Sequence, residues 1–228
     1  VNKSHETLAR RIGYTFQDPA LAARALTHRS HSTDHYERLE FLGDSVLNLV
    51  ISTALYDRYP GLAEGELTRL RASLVNKPSL AALARTLDVG SCLLLGEGEL
   101  KSGGFDRDSI LADALEALFG AVYRDGGIEA ARRVILALYD PILARLDPRA
   151  VPKDPKTRLQ EHLQKNSLPT PVYQVVKVSG EAHHQHFVVE CHVSGLDAPL
   201  RGEGNSRRAA EQEAAAAVLE RLTGTDQP

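Results

Sequence analysis

The spacing of apolar and polar positions changes near residue 150, and the change divides the chain. Before that point apolar residues recur every three or four positions, as on one face of a helix, predicting helices over 19–26, 37–59, 64–74, 78–87, 109–123 and 128–146. The stops between them are chemical. Pro60-Gly61 ends the second helix, Pro78 sits near the first position of the fourth, and Gly90 follows its end. The glycines of residues 95–104 permit tight turns, so that segment reads as a loop. Residues 147–155 hold three prolines among charged side chains, which is linker chemistry. Beyond them Asp154-Pro155 forms an N-cap and first-position pair opening a helix to about residue 165, with Leu159 and Leu163 on its apolar side. Two alternating β-branched runs, 172–178 and 187–193, flank Gly180 and a His-rich loop as an antiparallel hairpin. A short strand over 200–204 and an alanine-rich helix over 206–222 follow. The fold class is therefore two-domain: an all-α unit over 1–149, a linker over 150–155, and a small α+β unit of order α-β-β-β-α over 156–224.

Composition narrows the picture modestly. The 228 residues are 43% apolar and 25% charged, and no apolar run in the sequence approaches the roughly 18–20 residues of a membrane span, so no membrane partner is expected. Cys92 and Cys191 lie far apart in apolar surroundings, and no leader pattern opens the sequence as given. Both features fit buried thiols in a reducing cytoplasm. The net charge of −3 is spread evenly, with 18 basic against 20 acidic residues up to residue 150 and 9 against 10 after it. Nucleic-acid binding must therefore rest on local clusters.

Glu37, Glu40 and Asp44 fall at i, i+3 and i+7, one stripe of a helix that is otherwise strongly apolar. The spacing fits either a solvated acidic stripe or carboxylates awaiting a cation or a basic partner. Asp113 and Glu116 repeat the anomaly at i and i+3 in another apolar helix. If the two helices face each other, the four acids make an all-oxygen site suited to Mg²⁺ or Mn²⁺ rather than zinc. The alternative is capping or pairing with an arginine such as Arg107 or Arg124. In the C-terminal unit, Ser206-Arg207-Arg208 opens a helix with the wrong sign of charge for its dipole. A phosphate there would convert the mismatch into a site, whereas solvent screening would leave it as surface.

These residues carry a resemblance. Residues 37–45 (ERLEFLGDS), 64–77 (EGELTRLRASLVNK), 95–104 (LGEGELKSGG) and 109–120 (SILADALEALFG) resemble, in order, the sequence blocks of the bacterial ribonuclease III family. Residues 202–210 (GEGNSRRAA) are similar to the third motif of the double-stranded RNA-binding domain, and coverage runs from about residue 7 to 222. The resemblance implies that Glu40, Asp44, Asp113 and Glu116 are catalytic and hold Mg²⁺, with Mn²⁺ as a possible substitute. It assigns Glu37 and Glu64 to the cleavage valley, in RNA positioning or scissile-bond selection, and makes Phe41 a homodimer contact that inserts into a socket on the other subunit. Thr157, Gln160, Glu161 and Gln164 become a helix face reading one minor groove, and His183 and His184 reach the next. Ser206, Arg207 and Arg208 then take phosphates. Where many members carry a lysine, this chain has Glu211, which should weaken phosphate attraction.

The implied activity is double-strand-specific cleavage of RNA to 5′-phosphate and 3′-hydroxyl ends, in rRNA precursors and other structured transcripts, with no organic small-molecule cofactor. Two competing readings stand beside it: a non-catalytic double-stranded RNA-binding protein that uses the nuclease-like domain to dimerise, and a metal-dependent hydrolase of another phosphoester.

Overall fold

The computed structural model describes residues 3–148, 154–181 and 185–224, with side chains from residue 7 onward. They fall into two compact units, one within Val1–Val151 and the other within Pro152–Pro228.

The first unit is all-helical: α1 (Lys3–Ile12), α2 (Pro19–Ala25), α3 (Glu37–Arg58), α4 (Glu64–Val75), α5 (Lys77–Thr86), α6 (Glu97–Lys101) and α7 (Asp108–Ala144). Two of these depart from the expected pattern. No apolar period predicts α1, whose one anchoring pair is Leu8 and Ile12, both buried. The glycine-bearing segment that reads as a loop contains the single turn α6, closed by the Leu100 N–H donating to the Gly96 carbonyl at 3.0 Å. The split expected between 123 and 128 is a break inside α7 at Gly127, whose φ of 76° belongs to the left-handed region.

The core of this unit lies between α3 and α7, the most extensively packed pair of elements. From α3 come Leu39, Val46, Leu47, Val50, Ile51 and Leu55, and from α7 Leu111, Leu115, Leu118, Phe119 and Val122. Among the described residues α3 is the one helix long and apolar enough to cross a membrane by length and composition, and its buried stripe is spent on this core. Glycine sets how near the two axes come. A Cβ on Gly43 would collide with the Glu116 carbonyl, and one on Gly120 with the Leu39 carbonyl. The helices therefore touch backbone to backbone at the level of the acidic residues.

The second unit contains α8 (Pro155–Lys165), β1 (Val172–Ser179), β2 (His186–His192), β3 (Leu200–Gly204) and α9 (Arg207–Gly224). The strands form one antiparallel sheet in the order β1-β2-β3, with Val172 opposite His192 and Cys191 opposite Leu200. Leu159 and Leu163 of α8, Cys191 of β2 and Ala214, Ala215, Val218 and Leu219 of α9 make its core. Asp154 caps α8 by accepting the Thr157 N–H at 3.1 Å and joins it to α9 by accepting from Gln212 Nε2 at 2.9 Å. Burial acts to raise the Asp154 pKa, but hydrogen bonds from Thr157 and Gln212 prevail and hold it at about 2. Residues 150–153 of the expected linker, together with residue 149 before it, lie outside the described residues, and Pro155 already belongs to α8.

Candidate metal centre and nucleic-acid interface

The Gly43–Gly120 crossing delivers acids from two helices to one place. Glu40 projects from α3 and Asp113 and Glu116 from α7, and one carboxylate oxygen from each lies within 4.8 Å of the others. All three side chains are half-buried. Burial first, then the charges of Asp113, Glu37 and Asp44, pushes the Glu40 carboxyl up to about 7. Burial, then Asp44, Glu40 and Asp113, lifts Glu116 to about 8. Asp113 is raised mainly by burial, against the opposing fields of Lys77 and His28. A cluster that holds protons this tightly is short of positive charge, and its all-oxygen donors suit a hard divalent cation.

Asp44 stands slightly apart from the expected quartet. Its carboxylate is exposed and accepts from Asn48 Nδ2 at 2.8 Å, yet its charge still reaches Glu40 and Glu116. Arg107, an expected alternative partner for the α7 acids, instead pairs with Glu99 at 3.0 Å, and Arg124 lines a different cavity.

Glu37 sits one turn before Glu40, paired with Arg29 at 3.4 Å. It lines a cleft of about 770 Å³ with Glu40 and Asp113. Glu64 lies elsewhere. At the start of α4 it accepts from Thr68 Oγ1 at 2.9 Å and borders a groove of about 440 Å³ with Ser52, Tyr56 and Arg71. Within one chain it is thus not brought to the carboxylate cluster, because α4 meets α3 at Ser52, Leu55 and Tyr56, three turns or more beyond Glu40. Phe41 is 78% exposed, which excludes core packing, and Leu49 and Tyr56 continue its face along α3.

Sequence periodicity misses His28, Ser30 and Tyr36, which line the 770 Å³ cleft. They precede the long helix and have no repeat of their own. The bridge between Thr27 and Leu94, far apart along the chain, and the Gly96 N–H donated to Ser30 Oγ tie the His28–Ser30 segment to the site, while Tyr36 immediately precedes α3.

On the second unit, Gln160, Glu161 and Gln164 are exposed along one face of α8. Thr157 shares that face but is half-buried, its hydroxyl donating to Asp154 Oδ2 at 2.7 Å, so capping occupies it. Ser206 caps α9 by accepting the Ala209 N–H at 3.1 Å. Glu211 bridges Lys156 at 2.6 Å and Arg207 at 2.8 Å, and these two bonds lower its pKa despite burial. Arg207 is therefore partly neutralised, while exposed Arg208 has no ion-pair partner among the described residues. The expected RNA contacts His183 and His184 lie outside the described residues.

Comparison with known proteins joins the two halves. Residues 18–142 match a family profile described as Ribonuclease-III-like, and residues 155–222 match one described as Double-stranded RNA binding motif. A protein of Vibrio campbellii named Ribonuclease 3 is 54% identical over 98% of this chain and 99% of its own length. A Thiobacillus denitrificans protein of the same name is 58% identical over 91% and 92%. The crystal structure of the nuclease domain of ribonuclease III from Campylobacter jejuni, 41% identical, superposes with a TM-score of 0.61 over 64% of this chain and all of that one. With a carboxylate-bearing helical unit followed by an α-β-β-β-α unit, and similarity running almost end to end, this chain belongs to the ribonuclease III family.

Proposed function

We propose that this protein is an endoribonuclease specific for double-stranded RNA, acting on rRNA precursors and other structured transcripts in the cytoplasm. The observation that carries this reading is the cluster of Glu40, Asp113 and Glu116, three half-buried acids within 4.8 Å in a chain whose second unit matches a double-stranded RNA binding motif. The two buried free thiols fit a reducing compartment.

Glu40, Asp113 and Glu116 would hold Mg²⁺, or Mn²⁺ in its place, with Asp44 released from Asn48 as the fourth ligand. The bound cation supplies Lewis-acid chemistry at the phosphodiester, stabilising the charge that builds there. In the hydrolysis, a water oxygen bonds to phosphorus, the bond from phosphorus to the 3′-oxygen breaks, and that oxygen takes a proton. The ends are then a 5′-phosphate and a 3′-hydroxyl. Glu37, beside the cluster, helps position the strand. The catalytic unit is taken as residues 1–149 and the RNA clamp as 156–224, where Arg208 and, less strongly, Arg207 take phosphates and Gln160, Glu161 and Gln164 read the minor groove.

The working form is a homodimer joined along the exposed face of α3. Phe41 is the protruding element, and a cavity of about 520 Å³ that reaches its neighbour Leu42 combines an apolar wall of Leu21, Leu39 and Leu42 with Arg24, Arg38 and Arg124, a lining that can take an aromatic ring against aliphatic and guanidinium groups. A two-fold interface needs both features on one surface. Glu64 borders the groove along the same face, so its part in the valley depends on the second copy. A related structure, of the Campylobacter jejuni nuclease domain, is described as having a region involved in dimer formation. A non-catalytic double-stranded RNA-binding role would leave the raised pKa values of Glu40 and Glu116 without a use.

Glu116→Gln tests the assignment. The variant should lose cleavage of a duplex RNA while binding it with parental affinity, and cleavage at the parental rate would remove Glu116 from the chemistry.

A further inference from the structure

His28 is held more firmly than a cleft-lining residue needs to be. Its backbone N–H donates to the Leu94 carbonyl at 3.0 Å, and on either side Leu94 N–H reaches the Leu26 carbonyl at 2.8 Å and Tyr36 N–H the Thr27 carbonyl at 2.9 Å. Its ring lies 5.7 Å from that of Tyr36, tilted by 59°. The two ring nitrogens have different surroundings. Ser30 N–H donates to His28 Nδ1 at 3.1 Å, so Nδ1 must present a lone pair. The Ser30 hydroxyl oxygen, accepting the Gly96 N–H at 2.9 Å, lies 2.7 Å from the same Nδ1. With Nδ1 accepting from the Ser30 N–H, the proton of the neutral imidazole belongs on Nε2. Burial lowers the His28 pKa, in keeping with that neutral form.

His28 lines the 770 Å³ cleft that also contains Glu40 and Asp113. The arginines of this cleft are committed, Arg29 to Glu37 at 3.4 Å and Arg107 to Glu99 at 3.0 Å. The Nε2–H of His28 has no hydrogen-bond partner among the described residues. A neutral donor in the same cleft as a cluster of carboxylates can bind an anionic oxygen without repelling the cation that cluster holds. Resting on the nuclease reading above, we propose that His28 is a substrate-contact residue whose Nε2–H hydrogen-bonds a phosphate oxygen of the strand being cut, with Ser30 and Gly96 fixing its tautomer.

Two variants of the full-length protein decide it. His28→Phe keeps a ring against Tyr36 without a donor, and His28→Gln puts an amide N–H near the position of Nε2. Their single-turnover cleavage rates at saturating duplex RNA and Mg²⁺ are compared with their thermal midpoints. His28→Phe should lose about tenfold or more in rate, the worth of one hydrogen bond to a charged group. Its midpoint should stay within about 2 °C of the parent, and His28→Gln should recover most of the rate. An unchanged rate in His28→Phe overturns the assignment, as does an equal loss in both variants accompanied by an equal fall in midpoint. If the parent itself cleaves no RNA duplex, it is the nuclease reading that fails.

Discussion

Glu40 and Glu116 keep their protons into the neutral range, and this single property links stability, cation binding and pH. The free carboxyl value is 4.5, against about 7 and about 8 in the folded chain. Between those limits the unfolded chain has released protons that the folded one retains, so stability without a divalent cation falls as pH rises from about 5 to 8. A cation in the cluster replaces the protons and removes that slope. Thermal midpoints across this range should decline in EDTA and flatten in Mg²⁺; parallel curves would show that the cluster binds no cation. The arginines separate in the same way. Arg208→Ala should lower the salt slope of duplex binding by about one contact, more than Arg207→Ala, whose guanidinium already faces Glu211. Binding titrations at several salt concentrations measure both, and equal slopes would mean that Glu211 does not temper Arg207. The acids are legible in the sequence because 3.6-residue periodicity puts i and i+3 on one face. The hold of Asn48 on Asp44 and the tautomer of His28 are not, since each depends on a hydroxyl, amide or backbone group that carries no periodic signal.

At the scale of elements, the site exists because α3 and α7 approach backbone to backbone where Gly43 and Gly120 meet. Gly43→Ala or Gly120→Ala should therefore push the helices apart, costing about 1–3 kcal/mol by overpacking and a larger share of activity than of stability. Urea unfolding together with cleavage rates checks this, and a Gly43→Ala protein of parental stability and rate would mean that the helices can yield at no cost. The long helices and the three strands are readable from their apolar spacing, and the break at Gly127 falls in the gap that spacing leaves between residues 123 and 128. The short elements are not. With one anchoring pair in α1 and a single turn in α6, neither spans enough positions for a period to emerge, and tertiary contacts decide both.

For the whole molecule, the division of labour follows from where each kind of residue resides. The first unit carries the carboxylates and the exposed apolar face of α3, whereas the second carries the capped α9 and its arginines. Replacing exposed Phe41 with Glu should convert the proposed dimer to monomer in sedimentation velocity without lowering the thermal midpoint of the protomer. A Phe41→Glu protein that still sediments as a dimer would move the interface elsewhere. The pairing of the two units is legible in the order of the family's sequence blocks along the chain. The position of Glu64, away from the cluster in a single chain, is not, because it follows from how α4 packs on α3. The central claim, cation-dependent cutting of paired RNA, is tested most directly by incubating the purified protein with an RNA duplex, a DNA duplex and single-stranded RNA, each with Mg²⁺ and with EDTA. Cleavage of the RNA duplex alone, and only with Mg²⁺, is the predicted result; cleavage of the DNA duplex, or undiminished cutting in EDTA, would contradict it.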